Sequence, residues 1–239
     1  MVSAGVAVSL VEIAAAEIAW PFAENPPVEI AGGEAPSPAG DQAALPGFRV
    51  TRFEITNAEY RRFVAETGHR ASHFDGNQEI AQDGNPVVGV SWDDAMEFCR
   101  HFNLGLPSET QWDWMARGKE RRAYAWGDQP PGTDRANRGG AECCQPDEAD
   151  GFLGTAPVGS FPKGDTPEGV SDLTGNVWEW VDGWYEDGLP DNAGMERKFR
   201  VLRGGAWNSD DAHLKADYRL GYRGDFRFAA NGGFRCVAP

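Results

Sequence analysis

The side chains that could act as nucleophiles or bases are few in this chain, which has four cysteines and four histidines among 239 residues. One short stretch near the end of the chain brings a hydroxyl, a carboxylate and an imidazole together, at Ser209, Asp210 and His213. No Gly-x-Ser-x-Gly segment surrounds them, and such a local cluster is typical of a polar loop surface rather than of a catalytic triad. His213 taken alone favours a surface contact over a general base.

The other histidines and cysteines do not have the spacing of a metal site. His69 and His73 lie in one predicted loop, where we expect exposed histidines rather than metal ligands. Cys143 and Cys144 are adjacent, and no Cys-x-x-Cys segment occurs, so a zinc site is not expected. Four cysteines are also too few for a disulfide scaffold in a domain of this size.

The net charge of the chain limits the classes of molecule that it is expected to bind. With 37 acidic and 22 basic residues the net charge is −15, which argues against a nucleic-acid partner because such proteins need a basic surface. We interpret the acidity as a source of solubility; the alternative is that some carboxylates bind divalent cations. Residues 3–20 are rich in Ala and Val, but Glu12 and Glu17 interrupt them, so neither a secretory signal nor a membrane span is expected. We therefore expect a cytoplasmic protein, unless an export segment has been removed.

Three helices are predicted in the first half of the chain. Each begins with a hydroxyl residue that is followed three positions later by an acid or an amide, and each ends near a glycine. These sets are Thr56 with Glu59 and Gly68, Ser91 with Asp94 and Gly105, and Ser108 with Gln111 and Gly118. The apolar residues at helical spacing inside each set predict faces that pack in the core.

After Gly118 the helical pattern stops and turns dominate. Short strands are predicted at 28–30, 177–181, 199–203 and 233–237. Nine Trp, 30 Gly and 16 Pro indicate short elements joined by tight turns and held by aromatic anchors. The fold class is therefore α+β with little regular secondary structure. We expect an N-terminal lead-in at residues 1–27 and a single domain at residues 28–239.

Eight segments, in the same order along the chain, resemble the formylglycine-generating enzyme (sulfatase-modifying factor) family. Together they cover roughly residues 28–237, and the resemblance implies a C-type-lectin-like fold, in agreement with the α+β interpretation. The segments are Phe53–Tyr60, Pro86–Ala95, Leu106–Trp112, Ala125–Asp128, Gly151–Val158, Asp172–Trp180, Arg203–Trp207 and Gly233–Cys236.

The resemblance implies two structural calcium ions that would fasten loops rather than take part in chemistry. Hard cations prefer carboxylate, amide and carbonyl oxygens, and each matching side-chain position here carries an oxygen donor. The alternative for Asp172 and Glu179 is that they only cap turns and solvate the surface. The first set is the side chains of Asn137 and Asp150 with the carbonyls of Arg138 and Phe152; the second is the side chains of Asp172 and Glu179 with the carbonyls of Gly175 and Val177.

The resemblance fails at the residues that define the family's oxidase. That enzyme is expected to hold copper(I) with two cysteines five residues apart, just after the Arg-Gly-Gly segment. The matching positions here are Ser209 and Leu214, and neither side chain is a soft thiolate ligand. Cys143 and Cys144 lie in a different loop. We therefore expect neither bound copper nor the parent oxidase activity.

Cys99 and Cys236 match two positions that are joined by a disulfide in this family and in C-type lectins. A reducing cytoplasm would leave them as two buried thiols in contact. We expect the two residues to be adjacent, and the sequence leaves the bond itself open.

The segment that follows Trp207 has the composition of a binding surface, rich in Tyr, Phe, Asp, Asn, Arg and Gly. It resembles the C-terminal segment of the variable proteins of diversity-generating retroelements, which keep the lectin-like scaffold and vary its surface positions. A non-variable member with an ordinary substrate cleft is the alternative. The resemblance implies a ligand face made of Trp207, Asn208, Ser209, Asp210, His213, Tyr218, Leu220, Tyr222, Asp225, Phe226 and Phe228.

Three functions are consistent with these observations. The favoured hypothesis is a calcium-braced binding module that presents its C-terminal face to a protein or a small ligand, because the framework is intact while the redox residues are missing. The second is an enzyme of altered chemistry on a peptide or amine substrate, which would use Asp210, His213, Arg219 and Asp225. The third is an accessory domain for oligomer assembly. A deep pocket that places His213 against a carboxylate, together with a raised pKa there, would favour the second hypothesis.

Overall fold

The three predicted helices are confirmed in the computed structural model of the chain, which describes residues 19–37, 40–142, 144–189, 196–227 and 229–238. They are α1 (Asn57–Thr67), α2 (Trp92–His101) and α3 (Glu109–Arg117), and each begins with the predicted capping box. Each box satisfies backbone N–H groups that the first helical turn would otherwise leave unpaired. None of these three helices, in the part of the chain that the structure describes, has the length and apolar composition that a bilayer crossing requires.

The second helix ends earlier than the sequence predicts. The expected stop was Gly105, but α2 ends at His101 and Phe102 caps it. The helix is closed by Asn103, whose backbone is left-handed with φ of +58°, and by the N–H of Leu104, which donates to the carbonyl of Cys99 at 2.8 Å. Gly105 lies beyond this cap, where it and Val237 exchange both N–H···O bonds at 2.8 Å. A bridge between residues 132 positions apart cannot be inferred from local helix signals.

Nine strands among the described residues form three sheets. Strands β1 (Pro27–Ile30), β4 (Phe48–Thr51) and β9 (Val237–Ala238) make one antiparallel sheet, and β2 (Gly33–Pro36) pairs with β3 (Gln42–Leu45) in a second. The third sheet has the order β7 (Leu220–Arg223), β6 (Phe199–Arg203), β5 (Trp178–Trp184) and β8 (Gly232–Phe234). In this central sheet β8 lies parallel to β5, whereas the other neighbours are antiparallel.

The central sheet separates two groups of buried side chains. Alternate residues of a strand point to opposite faces, so Trp178 and Trp180 lie on one face of β5 and Val181 on the other. The first face packs with α1 and α2, in a cluster centred on Phe98, whose ring is 5.9 Å from that of Tyr60 and 5.2 Å from that of Phe234. The second face packs with α3 through Trp112. Sheet and helices together give the expected α+β arrangement.

The predicted strand at 233–237 is two strands in two different sheets. The break falls at Arg235, whose fully buried guanidinium donates to Glu179 Oε1 at 2.6 Å and to the carbonyl of Ser171 at 2.9 Å. It also donates to the carbonyls of Thr51 at 3.2 Å and Arg52 at 3.1 Å. Turning this side chain inward bends the backbone, so β8 stays in the central sheet while β9 joins β4.

The cysteine pair next to this break is oxidised in the structure. Cys99 on α2 and Cys236 are joined by a disulfide with Cα atoms 5.7 Å apart. The expected adjacency of the two residues is therefore confirmed. The bond ties α2 to the same C-terminal segment that Arg235 anchors.

The contribution of the Arg235–Glu179 pair to the stability of the fold can be tested by substitution. Replacing Arg235 with Met removes the cation but leaves the Glu179 carboxylate buried, and breaking a buried pair in this way costs about 3–5 kcal/mol. We expect urea denaturation of R235M to show a loss of that size in the free energy of unfolding.

The matched control is R223M, which breaks the exposed pair between Arg223 and Asp225. Solvent screens that pair, so we expect its free energy of unfolding to stay close to that of the unmodified chain. Equal losses in the two variants would contradict a special role for Arg235.

Candidate functional site

A cavity of about 350 Å³ opens beneath residues 204–232, which are called the C-terminal segment below. Its floor is the first face of the central sheet, with Trp178 and Trp180 from β5 and Leu202 from β6. Most of the lining is apolar, with a few polar groups, which is the character of a small-molecule or side-chain pocket. The remaining lining residues are Val90, Cys144, Asn208, Ser209, His213, Leu220, Tyr222, Phe226, Arg227, Ala229, Asn231 and Gly232.

Two consecutive glycines set the direction in which the C-terminal segment leaves the sheet. Gly204 and Gly205 follow β6 with φ of +97° and +79°, in the left-handed region that favours glycine. A Cβ on Gly205 would lie 2.7 Å from Cδ2 of Leu214, so the turn has no space for a side chain there. The tight turn brings the chain back over the Trp178–Trp180 face instead of away from it.

Trp207 fastens the segment after this turn. Its backbone N–H donates to the carbonyl of Asn176 at 2.9 Å, and its indole N–H donates to the carbonyl of Ala230 at 3.0 Å. The two bonds connect the beginning of the segment to the core and to the segment's own end. Trp207 therefore acts as an anchor of the cavity wall, and it is absent from the cavity lining.

A second loop supports the wall from outside. The carbonyl of Asn208 accepts from the N–H of Cys144 at 2.8 Å, and the carbonyl of Ser209 accepts from the N–H of Gly139 at 3.0 Å. Inside the cavity the Asn208 amide oxygen accepts from the side chain of Asn231 at 3.0 Å. Cys143 lies outside the described residues.

His213 lines the cavity and is oriented by a carboxylate. Its Nδ1 lies 2.6 Å from Oδ1 of Asp210, which also accepts from the backbone N–H of His213 at 3.1 Å. The hydrogen bond from His213 holds the pKa of Asp210 below its ordinary value. The ring of Tyr218 lies 4.6 Å from the imidazole. A carboxylate that fixes an imidazole in this way is the arrangement of a general base.

The structure brings some of the predicted ligand residues together and not others. Those that line the cavity are Asn208, Ser209, His213, Leu220, Tyr222 and Phe226. Asp210 and Tyr218 contact His213 but do not line the cavity. Asp225 forms an exposed ion pair with Arg223 at 2.7 Å. Phe228 lies outside the described residues.

The four residues of the alternative catalytic set do not converge on one point. Asp210 and His213 are paired, but Arg219 binds Glu109 with Nε–Oε1 at 2.5 Å and lines a different pocket. Asp225 is held by Arg223. Of this set, only the Asp210–His213 pair remains as a catalytic candidate.

The cavity floor was missed by sequence reasoning. The Trp-Glu-Trp sequence at 178–180 carries a signal that could have revealed it, because alternation on a strand places both indoles on one face and the carboxylate on the other. Arg227 and Asn231 had no comparable signal, since they reach the cavity only through the tertiary path of the final loop.

The two positions that would carry copper-binding cysteines have other roles here. Ser209 is buried, and its hydroxyl accepts from the backbone N–H of Ala206 at 3.0 Å, so it stabilises its own turn. Leu214 is fully buried in the core with no exposed surface. Neither side chain can supply a thiolate, so the residues present do not fit copper(I).

In the first predicted calcium set, Asp150 is tied to two of the other members by hydrogen bonds. The Asp150 carboxylate accepts from the backbone N–H groups of Arg138 at 2.7 Å and Phe152 at 3.0 Å, the two residues whose carbonyls complete the set. Asn137 Oδ1 is buried and meets no hydrogen-bond donor among the described residues. Burial also raises the pKa of Asp150. The first calcium site, like the second, stays a prediction.

The second predicted set is occupied by protein contacts. Both oxygens of Glu179 accept from Arg235, and Oε2 also accepts from the indole N–H of Trp112 at 2.8 Å. These bonds use the roughly four acceptor positions of a carboxylate. The carbonyls of Gly175 and Val177 flank this group, and a cation here would have to share Glu179 with Arg235. The second calcium site stays a prediction.

Asp172 belongs to a buried acidic cluster that the sequence did not reveal in full. Glu54, fully buried, accepts from Asn176 Nδ2 at 2.7 Å and from the N–H of Val177 at 3.2 Å. Burial, reinforced by the neighbouring carboxylates, raises the pKa of Glu54 well above its ordinary value. Burial likewise raises the pKa of Asp172 to about 6, although the N–H of Gly159 donates to it at 2.6 Å. Three carboxylates thus share the single cation of Arg235.

Comparison with known proteins agrees with this architecture. The family profile of the sulfatase-modifying factor enzyme 1-like domain matches residues 22–239. The formylglycine-generating enzyme of Mus musculus is 28% identical over an alignment of 263 positions, which covers 86% of this chain and 69% of the mouse protein.

Two solved structures share the fold. PvdO from Pseudomonas aeruginosa superimposes with a TM-score of 0.70 and 21% identity, covering 88% of this chain and 93% of that one. Treponema denticola variable protein 1 gives a TM-score of 0.68 and 20% identity, covering 89% of this chain and 94% of that one. The C-type-lectin-like fold and the family resemblance expected from the sequence are therefore confirmed.

The raised pKa of Asp172 predicts a pH dependence of stability in the presence of a chelator. Because its pKa is higher in the folded chain (about 6, against an ordinary 3.8), folding binds a proton. Its contribution is complete below pH 3.8 and is lost as the pH rises through 6. Relative to D172N, which mimics the protonated form, the unmodified chain should lose up to about 3 kcal/mol between pH 4 and pH 7.

Urea denaturation in EDTA across this pH range measures the difference. The control is D225N, whose carboxyl is exposed and whose stability curve should run parallel to that of the unmodified chain. A parallel curve for D172N as well would contradict the assignment.

Proposed function

Because this chain belongs to the sulfatase-modifying factor enzyme 1-like family but lacks the oxidase cysteines, we propose that it is a binding member of that family. The proposed site is the cavity under the C-terminal segment. The observation that carries the proposal is that residues 208–232 form most of the walls over an indole floor. The occupant would be a small ligand or a side chain of a partner protein.

The lining indicates the chemistry of the occupant. The indoles of Trp178 and Trp180 suit an aromatic or aliphatic body, since aromatic side chains supply large apolar contact area. Arg227 lines the same cavity, and its Nε is buried with no acceptor among the described residues. A ligand with an apolar body and an acceptor or anionic group would therefore satisfy both parts of the site.

The attachment of the C-terminal segment to β5 also supports the more specific proposal that this chain is a scaffold of the variable-protein type. Glu179 of β5 is opposite Arg203 on one side and Gly233 on the other. The beginning and the end of the C-terminal segment are thus held by the same strand. Surface residues between these two points can differ while both attachments stay fixed.

A second candidate function rests on the His213–Asp210 pair. A histidine oriented by a carboxylate in a cavity wall could remove a proton from a bound peptide or amine. This enzyme alternative needs His213 for turnover but not for retention of the ligand, so the two functions are separable.

We also propose that calcium occupies the first predicted set. Asn137 and Asp150 would supply side-chain oxygens, and Arg138 and Phe152 would supply carbonyls. A bound cation would stabilise the loop at 137–152, which supports the cavity wall through the bonds of Gly139 and Cys144. Its contribution would be structural.

Calcium should raise the melting temperature of the protein after EDTA treatment, by several degrees at about a hundredfold excess over Kd. D150N should lose most of this shift, because the amide removes the charge of the site. D134N is the control, since Asp134 pairs with Lys163 on the surface. Differential scanning calorimetry with and without calcium makes the comparison, and an unchanged shift in D150N would contradict the proposal.

The cavity can be tested with anilinonaphthalene sulfonate, which carries an aromatic body and an anionic group. We expect one molecule to bind per chain with quenching of tryptophan fluorescence. Filling the cavity with A229W should weaken binding about tenfold or more, because an indole occupies the space of the probe. A149W, at an exposed position, should bind as the unmodified chain does.

H213Q separates the two candidate functions in the same assay. The binding function predicts that neither the unmodified chain nor H213Q turns over any member of a peptide and amine library, while H213Q still binds the probe. A turnover that disappears in H213Q while the probe still binds would favour the enzyme. Equal probe binding by A229W and the unmodified chain would contradict the cavity as the site.

A further inference from the structure

A second pocket, of about 240 Å³, lies near the beginning of α3 and is separate from the indole-floored cavity. Its lining contains a concentration of arginines that is unexpected in a chain of net charge −15. Four guanidinium groups and three carboxylates meet here, and Thr110 adds a hydroxyl. The charged residues are Arg117, Arg121, Arg203, Arg219, Glu109, Asp113 and Asp217.

The carboxylates hold the arginines in place. Glu109 accepts from Arg203 Nη1 at 2.8 Å and from Arg219 Nη2 at 2.9 Å, and it is nearly fully buried. Asp113 accepts from Arg203 Nη2 at 3.0 Å, from Arg117 Nη1 at 3.4 Å and from Arg121. These contacts come from α3 and from the two ends of the β6–β7 connection, so the guanidinium groups are pre-positioned.

The donors in this pocket outnumber the acceptors. Four guanidinium groups carry about 20 N–H donors, whereas three carboxylates offer about 12 acceptor positions. Some of the surplus goes to backbone carbonyls, as from Arg203 to Ala216 at 2.7 Å and from Arg219 to Tyr185 at 3.0 Å. The Nε of Arg203 is buried and has no acceptor among the described residues. Burial also lowers the pKa of Arg203 despite its two carboxylate partners.

We propose that this pocket is a second binding site, which takes a small oxyanion in the form of a carboxylate or phosphate group. The site has one more positive than negative charge, a surplus of fixed donors and an open volume beside them. Planar guanidinium groups recognise carboxylate and phosphate oxygens through paired hydrogen bonds. Arg121, whose side chain is 39% exposed, is the most accessible of the four guanidinium groups, so an entering anion would meet it first.

Calorimetric titration with inorganic phosphate, at an ionic strength held constant with sodium chloride, tests the proposal. We expect saturable binding at one site per chain. R121Q should weaken it about tenfold, because it removes a charged donor from the pocket. R100Q, which removes an equal charge from an exposed position on α2, should bind phosphate as the unmodified chain does.

D217N gives a second readout, since it removes only an exposed carboxylate whose ion pair with Arg117 is long, at 4.0 Å. Asp217 is 61% exposed at the pocket rim, so replacing its carboxylate should leave the fold intact and tighten phosphate binding about two- to threefold. Parallel titrations with acetate and methyl phosphate distinguish the source, since the tighter of the two identifies the group. Absence of saturable binding, or equal weakening in R100Q and R121Q, would overturn the proposal.

Discussion

The structure depends on one buried ion pair, between Arg235 and Glu179. The guanidinium donates hydrogen bonds to the carbonyls of Thr51, Arg52 and Ser171. The carboxylate accepts a hydrogen bond from the indole N–H of Trp112. Two charges removed from water stabilise a fold only when further hydrogen bonds satisfy them, and here the partners come from three distant parts of the chain. The pair therefore specifies how α3, β4, β5 and the C-terminal strands meet.

The strand that carries Glu179 also supports the candidate site. Because side chains alternate along β5, the carboxylate lies on one face of the central sheet, while Trp178 and Trp180 form the cavity floor on the other. The ion pair and the cavity are thus separated by the thickness of one strand. The chemistry of the cavity walls can differ from that of relatives without a change in the interactions that hold β5.

Local signals in the sequence were sufficient for the helices and for several strands. Thr56, Ser91 and Ser108 begin helices through contacts three residues away, which is why their capping boxes could be read directly. Two expectations were wrong for different reasons. Asn103, in the left-handed conformation, ends α2 before Gly105, and Arg235 splits a strand because it turns toward Glu179. The resemblance to the family was enough to predict part of the candidate ligand face. The floor of that cavity and the pocket around Arg203 could be found only from the tertiary structure.

The pairing of β9 with β4 has a consequence for how the protein is made. Val50 is opposite Val237 and Arg49 is opposite Ala238, so the last described residues complete a sheet by pairing with residues almost 190 positions earlier. Contacts between such distant residues form slowly because a long loop must close first. During synthesis the ribosome releases the N-terminal strands long before their partner exists. During synthesis the sheet therefore stays incomplete, with β4 lacking one neighbour, until β9 has emerged.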